Sequence, residues 1–180
     1  MPRKRYTKDY RLSDTLDERG RIRTETEYIG AAYRFAEGTA AARKTVGRML
    51  VLAGLGALCF LVSLLPHSTA SLTMYVMLPY LFTALPLGLL LAALLRLRSF
   101  GESLDHRAAD QANGQIPGCC LWLLILPAVS LLGEAGALVF GHGAFRPGDG
   151  LFIAGALGVL LCGWLCRRGK DALRADCVSD

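Results

Sequence analysis

The sequence predicts an all-α polytopic membrane protein: a four-transmembrane-helix bundle preceded by a short cytoplasmic N-terminal β-hairpin segment. Three observations carry this prediction. Apolar residues make up 53% of the 180 positions. Charged residues fall to 19%, below the roughly 25% usual in soluble domains. The charges are also segregated, with none between Met49 and Leu95 and twelve Lys and Arg in the first 48 residues. A bilayer imposes this pattern because charge is costly in its hydrocarbon core.

Residues 1–38 read as a polar cytoplasmic segment. Tyr6, Lys8, Tyr10 and Leu12 alternate with Thr7, Asp9, Arg11 and Ser13, and Ile22, Thr24, Thr26 and Tyr28 recur at every second position. That is strand period. Asp17-Glu18-Arg19-Gly20 supplies a turn between them, with Gly20 free to take positive φ. A hairpin of about 9–16 with 21–29 follows. A lone two-stranded hairpin is marginal in water, so it is expected to lean on the bilayer, on another cytoplasmic segment or on a protein partner. Ala31–Phe35 is expected to connect it to the membrane surface.

Residues 39–180 read as the membrane domain. Apolar runs place spanning helices at about 46–66, 72–95, 118–140 and 151–166, the first of them expected to begin as a helix near Thr39. About 20 residues at a rise of about 1.5 Å cross a core of about 30 Å. Helix two contains Pro79 and Pro86, seven residues apart and therefore on one side. Such a helix is expected to face its neighbours, which shelter the freed carbonyls. Between the second and third helices, 96–117 reads as a cytoplasmic loop. Within it a surface helix of about 100–112 is expected, started by a capping box at Ser99 and stopped by Asn113-Gly114. Helix four is expected to be capped by Asp149 and to run into a basic tail, 167–180.

Orientation follows from counting. Twelve Lys and Arg lie in the N-terminal segment, three in 96–117 and four in the tail, whereas the two outer loops hold Arg146 alone. The positive-inside rule then puts both termini in the cytoplasm of a multi-pass plasma-membrane protein. About 45 polar residues precede the first apolar run, so that run is expected to be a retained helix and not a cleaved signal. The net charge of +5 is accounted for by basic segments meeting anionic headgroups. No nucleic-acid-binding signature accompanies it, and no nucleic-acid partner is expected.

Glu134 is the candidate site, because an ionisable residue inside a spanning segment is costly and marks a functional candidate. It shares a helical face with Cys120, Pro127, Ser130, Ala137 and Gly141. One reading makes it a proton- or cation-binding group of a small transporter or channel subunit. The other pairs it structurally with Arg146, His142 or His67. Small residues recur every four positions at Ala53 and Ala57 on helix one and at Ala154, Gly158 and Cys162 on helix four. Such ridges let backbones approach closely, which predicts packing of helices one and four. A homo-oligomer is the alternative use of the same ridges.

The six cysteines avoid the outer loops and contain no C-x-x-C pair, so they read as packing residues, not a disulfide framework. His67, His142, Glu134 and Asp149 have no helical ligand spacing, and neither metal nor cofactor is expected. The stretch Gly163–Lys170 is one residue too long for a phosphate loop, and Asp171 stands where that motif needs a hydroxyl. No hydrolase motif occurs. The sequence therefore points to a non-enzymatic membrane scaffold or accessory subunit that binds a partner through its cytoplasmic segment.

Overall fold

The computed structural model describes residues 10–16, 22–28, 33–36, 38–65, 73–99, 104–140 and 145–177. It is mostly helical, and four helices among these residues are long and apolar enough to cross a membrane.

Two strands come first. β1 (Tyr10–Leu16) pairs antiparallel with β2 (Ile22–Tyr28), Tyr10 opposite Tyr28 and Leu16 opposite Ile22. The turn expected at 17–20 lies outside the described residues. A third strand, β3 (Tyr33–Phe35), occupies the stretch read as a connector.

Helix α1 (Thr39–Leu64) begins after Gly38, whose φ of 85° is open to glycine. It starts at Thr39, where the helix is expected, ahead of the apolar run from about 46, because the Ala-, Arg- and Lys-rich stretch Thr39–Arg48 favours helix without being apolar. The second span is built from α2 (Met74–Phe82) and α3 (Ala84–Ser99), broken at Thr83. There the backbone N–H of Thr83 donates to Tyr80 O at 3.0 Å. Its hydroxyl donates to the carbonyl of Pro79 at 3.3 Å, the oxygen its own N–H would serve in a regular helix. A buried side chain thus covers the polar group that the break exposes.

The loop expected over 96–117 is largely helical. α3 runs on to Ser99, and after Leu104 comes α4 (His106–Asp110), which passes through a π turn at Gln111–Gln115 straight into α5 (Ile116–Phe140). Asn113-Gly114 therefore does not stop a helix. The wide turn absorbs Gly114, and the Asn113 side chain is engaged elsewhere in the fold. Helix α6 (Pro147–Arg168) starts four residues earlier than expected, with Pro147 presetting its first turn. Asp149 is consequently its third helical residue and not the cap. Its carboxylate reaches back to accept the N–H of Arg146 at 2.8 Å. After α6 a short 3-10 turn (Lys170–Leu173) leads to β4 (Ala175–Cys177), which pairs antiparallel with β3.

α1 packs most extensively on α6. α6 also packs on α5, and α2 and α3 close the bundle against α5 and α1. Tyr80 is fully buried at the centre of one half, stacked on Phe60 at 5.1 Å and edge-on to Phe152 at 4.9 Å. Its hydroxyl is 2.5 Å from Ser63 Oγ, which donates in turn to Phe60 O at 2.7 Å. The buried polar pair is thereby satisfied within the bundle.

Candidate functional site

The four long apolar helices bring three polar segments to one end of the bundle. Ahead of α1, Tyr33 exchanges backbone hydrogen bonds with Leu104 from the segment joining α3 to α4, at 3.2 and 2.9 Å. The Tyr33 hydroxyl lies 2.9 Å from His106 Nδ1, and His106 Nε2 lies 4.0 Å from the Asp110 carboxylate. Beyond α6, β4 completes the sheet with β3, and Ala36 N–H donates to Arg174 O at 2.9 Å. Asn113 clasps β4 in both directions. Its amide donates to Ala175 O at 2.8 Å and accepts from Ala175 N–H at 3.0 Å. Phe35, Leu104, Ala112, Ile116 and Leu173 are buried beneath this cap. The knot is thus both hydrogen-bonded and apolar-filled.

The same end gathers the described basic residues of 33–177 apart from Arg146. Arg34, Arg43, Lys44 and Arg48 come from the N-terminal side, Arg96, Arg98 and Arg107 from the middle segment, and Arg167, Arg168, Lys170 and Arg174 from the tail. A groove of about 410 Å³ opens among them, lined by Asn113, Pro117, Lys170, Asp171, Arg174 and Asp176.

Glu134 belongs to the other half. It has 0% exposure and lies on the buried stripe of α5 with Cys120, Leu123, Pro127 and Ser130. Arg146 is exposed at the mouth of α6. His67 and His142 lie outside the described residues.

The α1–α6 seam is closer than the spacing of alanines suggests. A Cβ at Gly155 would stand 2.5 Å from Ser63 Cβ and 2.9 Å from Cys59 O, and one at Gly158 would stand 2.9 Å from Cys59 Sγ. Cys162 meets Gly56. The register differs from the alanine ridge: Ala154 is exposed and Ala57 half-buried, and Gly155 and Gly56 take the contact positions, although Ala53 is buried. One residue along a helix is about 100°, enough to move a side chain from seam to surface. All six cysteines are free thiols. Among the described residues no three His, Cys, Asp or Glu stand together as a metal set.

No family model matches this chain, and neither the curated proteins nor the solved structures provide a match.

Function must therefore be read from the geometry alone. Sequence reasoning missed the β3–β4 pairing, the Asn113 clasp and the groove. Three-residue strands carry too little alternation to register, and Asn113-Gly114 has the composition of a helix end. The one available signal was Tyr33-Arg34-Phe35, two aromatics flanking a charge.

Proposed function

We propose that this chain is a multi-pass membrane scaffold or accessory subunit, not an enzyme, with both termini in the cytoplasm and a partner-binding N-terminal hairpin. The observation that carries the reading is the knot at the basic end. It ties the chain on both sides of the bundle to the middle segment, making one rigid polar platform. The hairpin is tethered to it by the four residues between Tyr28 and Tyr33, five Cα–Cα steps with a reach of at most about 18 Å.

Membrane insertion is supported by the flanks. Leu55 and Leu58 on α1, Leu78 on α2, Leu89 on α3, Ile125 and Val129 on α5 and Leu161 on α6 are all exposed. Apolar faces of this extent are not tolerated in water. Orientation is supported by the basic residues at one end. Single cysteines introduced at Asp105 and Phe145, in a background with Cys177 changed to Ser, test it. An impermeant maleimide applied to intact cells should label position 145 and spare 105; the reverse pattern would invert the scheme. Partner binding is tested by co-purification of full-length protein against a variant lacking residues 10–28. Identical sets of retained proteins would remove the hairpin from the function.

A second reading rests on the burial of Glu134. A carboxyl group fully enclosed in a spanning helix is the usual apparatus of proton coupling. This reading requires that Glu134→Gln abolish proton-coupled flux in proteoliposomes that the wild-type protein sustains.

A further inference from the structure

The groove at the basic end has a feature that a partner platform does not require: it opens at headgroup depth. The protein's two tryptophans set the level. Trp122 on α5 and Trp164 on α6 are 53% and 40% exposed. They share one height, because their neighbours Leu123 and Gly163 touch, with a Cβ at Gly163 only 3.0 Å from that of Leu123. Exposed tryptophans at one height mark the membrane–water boundary. Pro117, in the groove wall, lies five residues nearer the cap than Trp122, about 7.5 Å along the helix at 1.5 Å per residue. The groove therefore stands just outside the hydrocarbon, where phosphates lie.

Its charge suits a phosphate. Lys170 is half-buried in the wall and makes no ion pair among the described residues, whereas Asp171 beside it is exposed. Arg174 also lines the groove, its Nε 3.5 Å from the Asp176 carboxylate. Asn113 is committed to Ala175, so the available donors are the two cations. One turn below, the guanidinium of Arg168 lies flat on Trp164, 3.9 Å from the ring centre, and Arg167 adds a further positive charge. The lining itself sets Lys170 and Arg174 against Asp171 and Asp176, and Arg167 and Arg168 just below it bring 167–177 to four cations against two carboxylates, so the local field favours an anion.

We infer that this groove binds a phosphate group through Lys170 and Arg174, carried by an anionic phospholipid of the adjacent leaflet. The inference rests on the membrane-spanning reading above. The test uses full-length protein released into detergent and analysed by native mass spectrometry with phosphatidylglycerol, phosphatidylcholine or inorganic phosphate. Wild-type protein should retain phosphatidylglycerol over phosphatidylcholine. The double variant Lys170→Gln, Arg174→Gln should lose about a hundredfold in that retention, since each of the two charged hydrogen bonds is worth about tenfold. Lys170→Arg should keep it. Arg43→Gln with Arg48→Gln, at the same end but outside the groove, should leave retention unchanged. Inorganic phosphate that displaces the lipid and binds by itself would support the phosphate site and name free phosphate as its ligand; inert phosphate would leave the lipid as the source. Equal losses in both double variants, or none in the groove variant, would overturn the site. If the double variant fails to fold, Arg174→Gln alone carries the same comparison. Retention in detergent does not depend on orientation, so this inference and the insertion scheme can fail separately.

Discussion

The carbonyl of Leu123 faces Gly163 across the α5–α6 seam, and a Cβ at Gly163 would stand 3.3 Å from that oxygen. Leu123 is four residues before Pro127. Proline has no N–H, so this carbonyl is the one deprived of its helical donor. Glycine on the neighbouring helix lets the backbones close over it, with its Cα–H groups as weak donors. Gly163→Ala should therefore lower the thermal midpoint of the detergent-solubilised protein, by an amount corresponding to about 1–3 kcal/mol. Pro127→Ala, which restores the donor, should reduce the sensitivity of the α5–α6 seam to that change, and a double-mutant cycle would read the coupling.

Gly155→Ala should be the more damaging substitution. Its new methyl would meet Ser63 and the Cys59 carbonyl, and backbone cannot swing aside as a flexible side chain can. Gly54→Ala on the other side of α1 meets nothing within 4 Å. It should be neutral or stabilising by about 0.5–1 kcal/mol, the helix preference of alanine over glycine. Thermal melts of the two variants side by side check both signs.

Tyr80→Phe removes the hydroxyl that meets Ser63 and leaves the ring stack with Phe60 and Phe152 in place. Ser63 keeps its bond to Phe60 O. The expected loss is about 0.5–1.5 kcal/mol, whereas Tyr80→Ala should cost about 3–5 kcal/mol through the cavity it leaves. Chemical unfolding in detergent distinguishes the two.

Asn113→Ala deletes both bonds to Ala175 and should release β4 from the platform. The bundle beneath should be unaffected. Hydrogen exchange should rise at 175–177 and at the facing residues 33–35, with no change in α1 or α6. Uniform protection across the cap would contradict the clasp.

Asp149→Ala removes the carboxylate that accepts the Arg146 N–H at the start of α6. A lost first-turn acceptor costs about 1 kcal/mol, and faster exchange confined to the first turn of α6 would locate it.

Four helices were legible because apolar runs of spanning length need no tertiary information, and the hairpin because alternation over seven residues is a local signal. The bounds of the helices were less legible. Pro147–Gly150 is helical ahead of the apolar run, and Asn113-Gly114 reads as an end until the π turn and Ala175 are seen. At the candidate sites, Glu134 announced itself by being charged in an apolar run. The groove did not, because Asn113, Pro117, Lys170 and Arg174 are far apart in the chain and each is unremarkable alone.

By itself, then, the sequence determined that the chain forms four helices of spanning length and that most of its basic residues fall in the polar segments outside them. Hydropathy and charge are summed along the chain, so both are local properties. Only the tertiary structure decided that Gly155 and not Ala154 meets α1, that Asn113 holds β4 and does not end a helix, and that Tyr33, Leu104 and Cys177 meet. Those outcomes depend on rotation about a helix axis and on contacts between segments up to about 140 residues apart, neither of which any local pattern encodes.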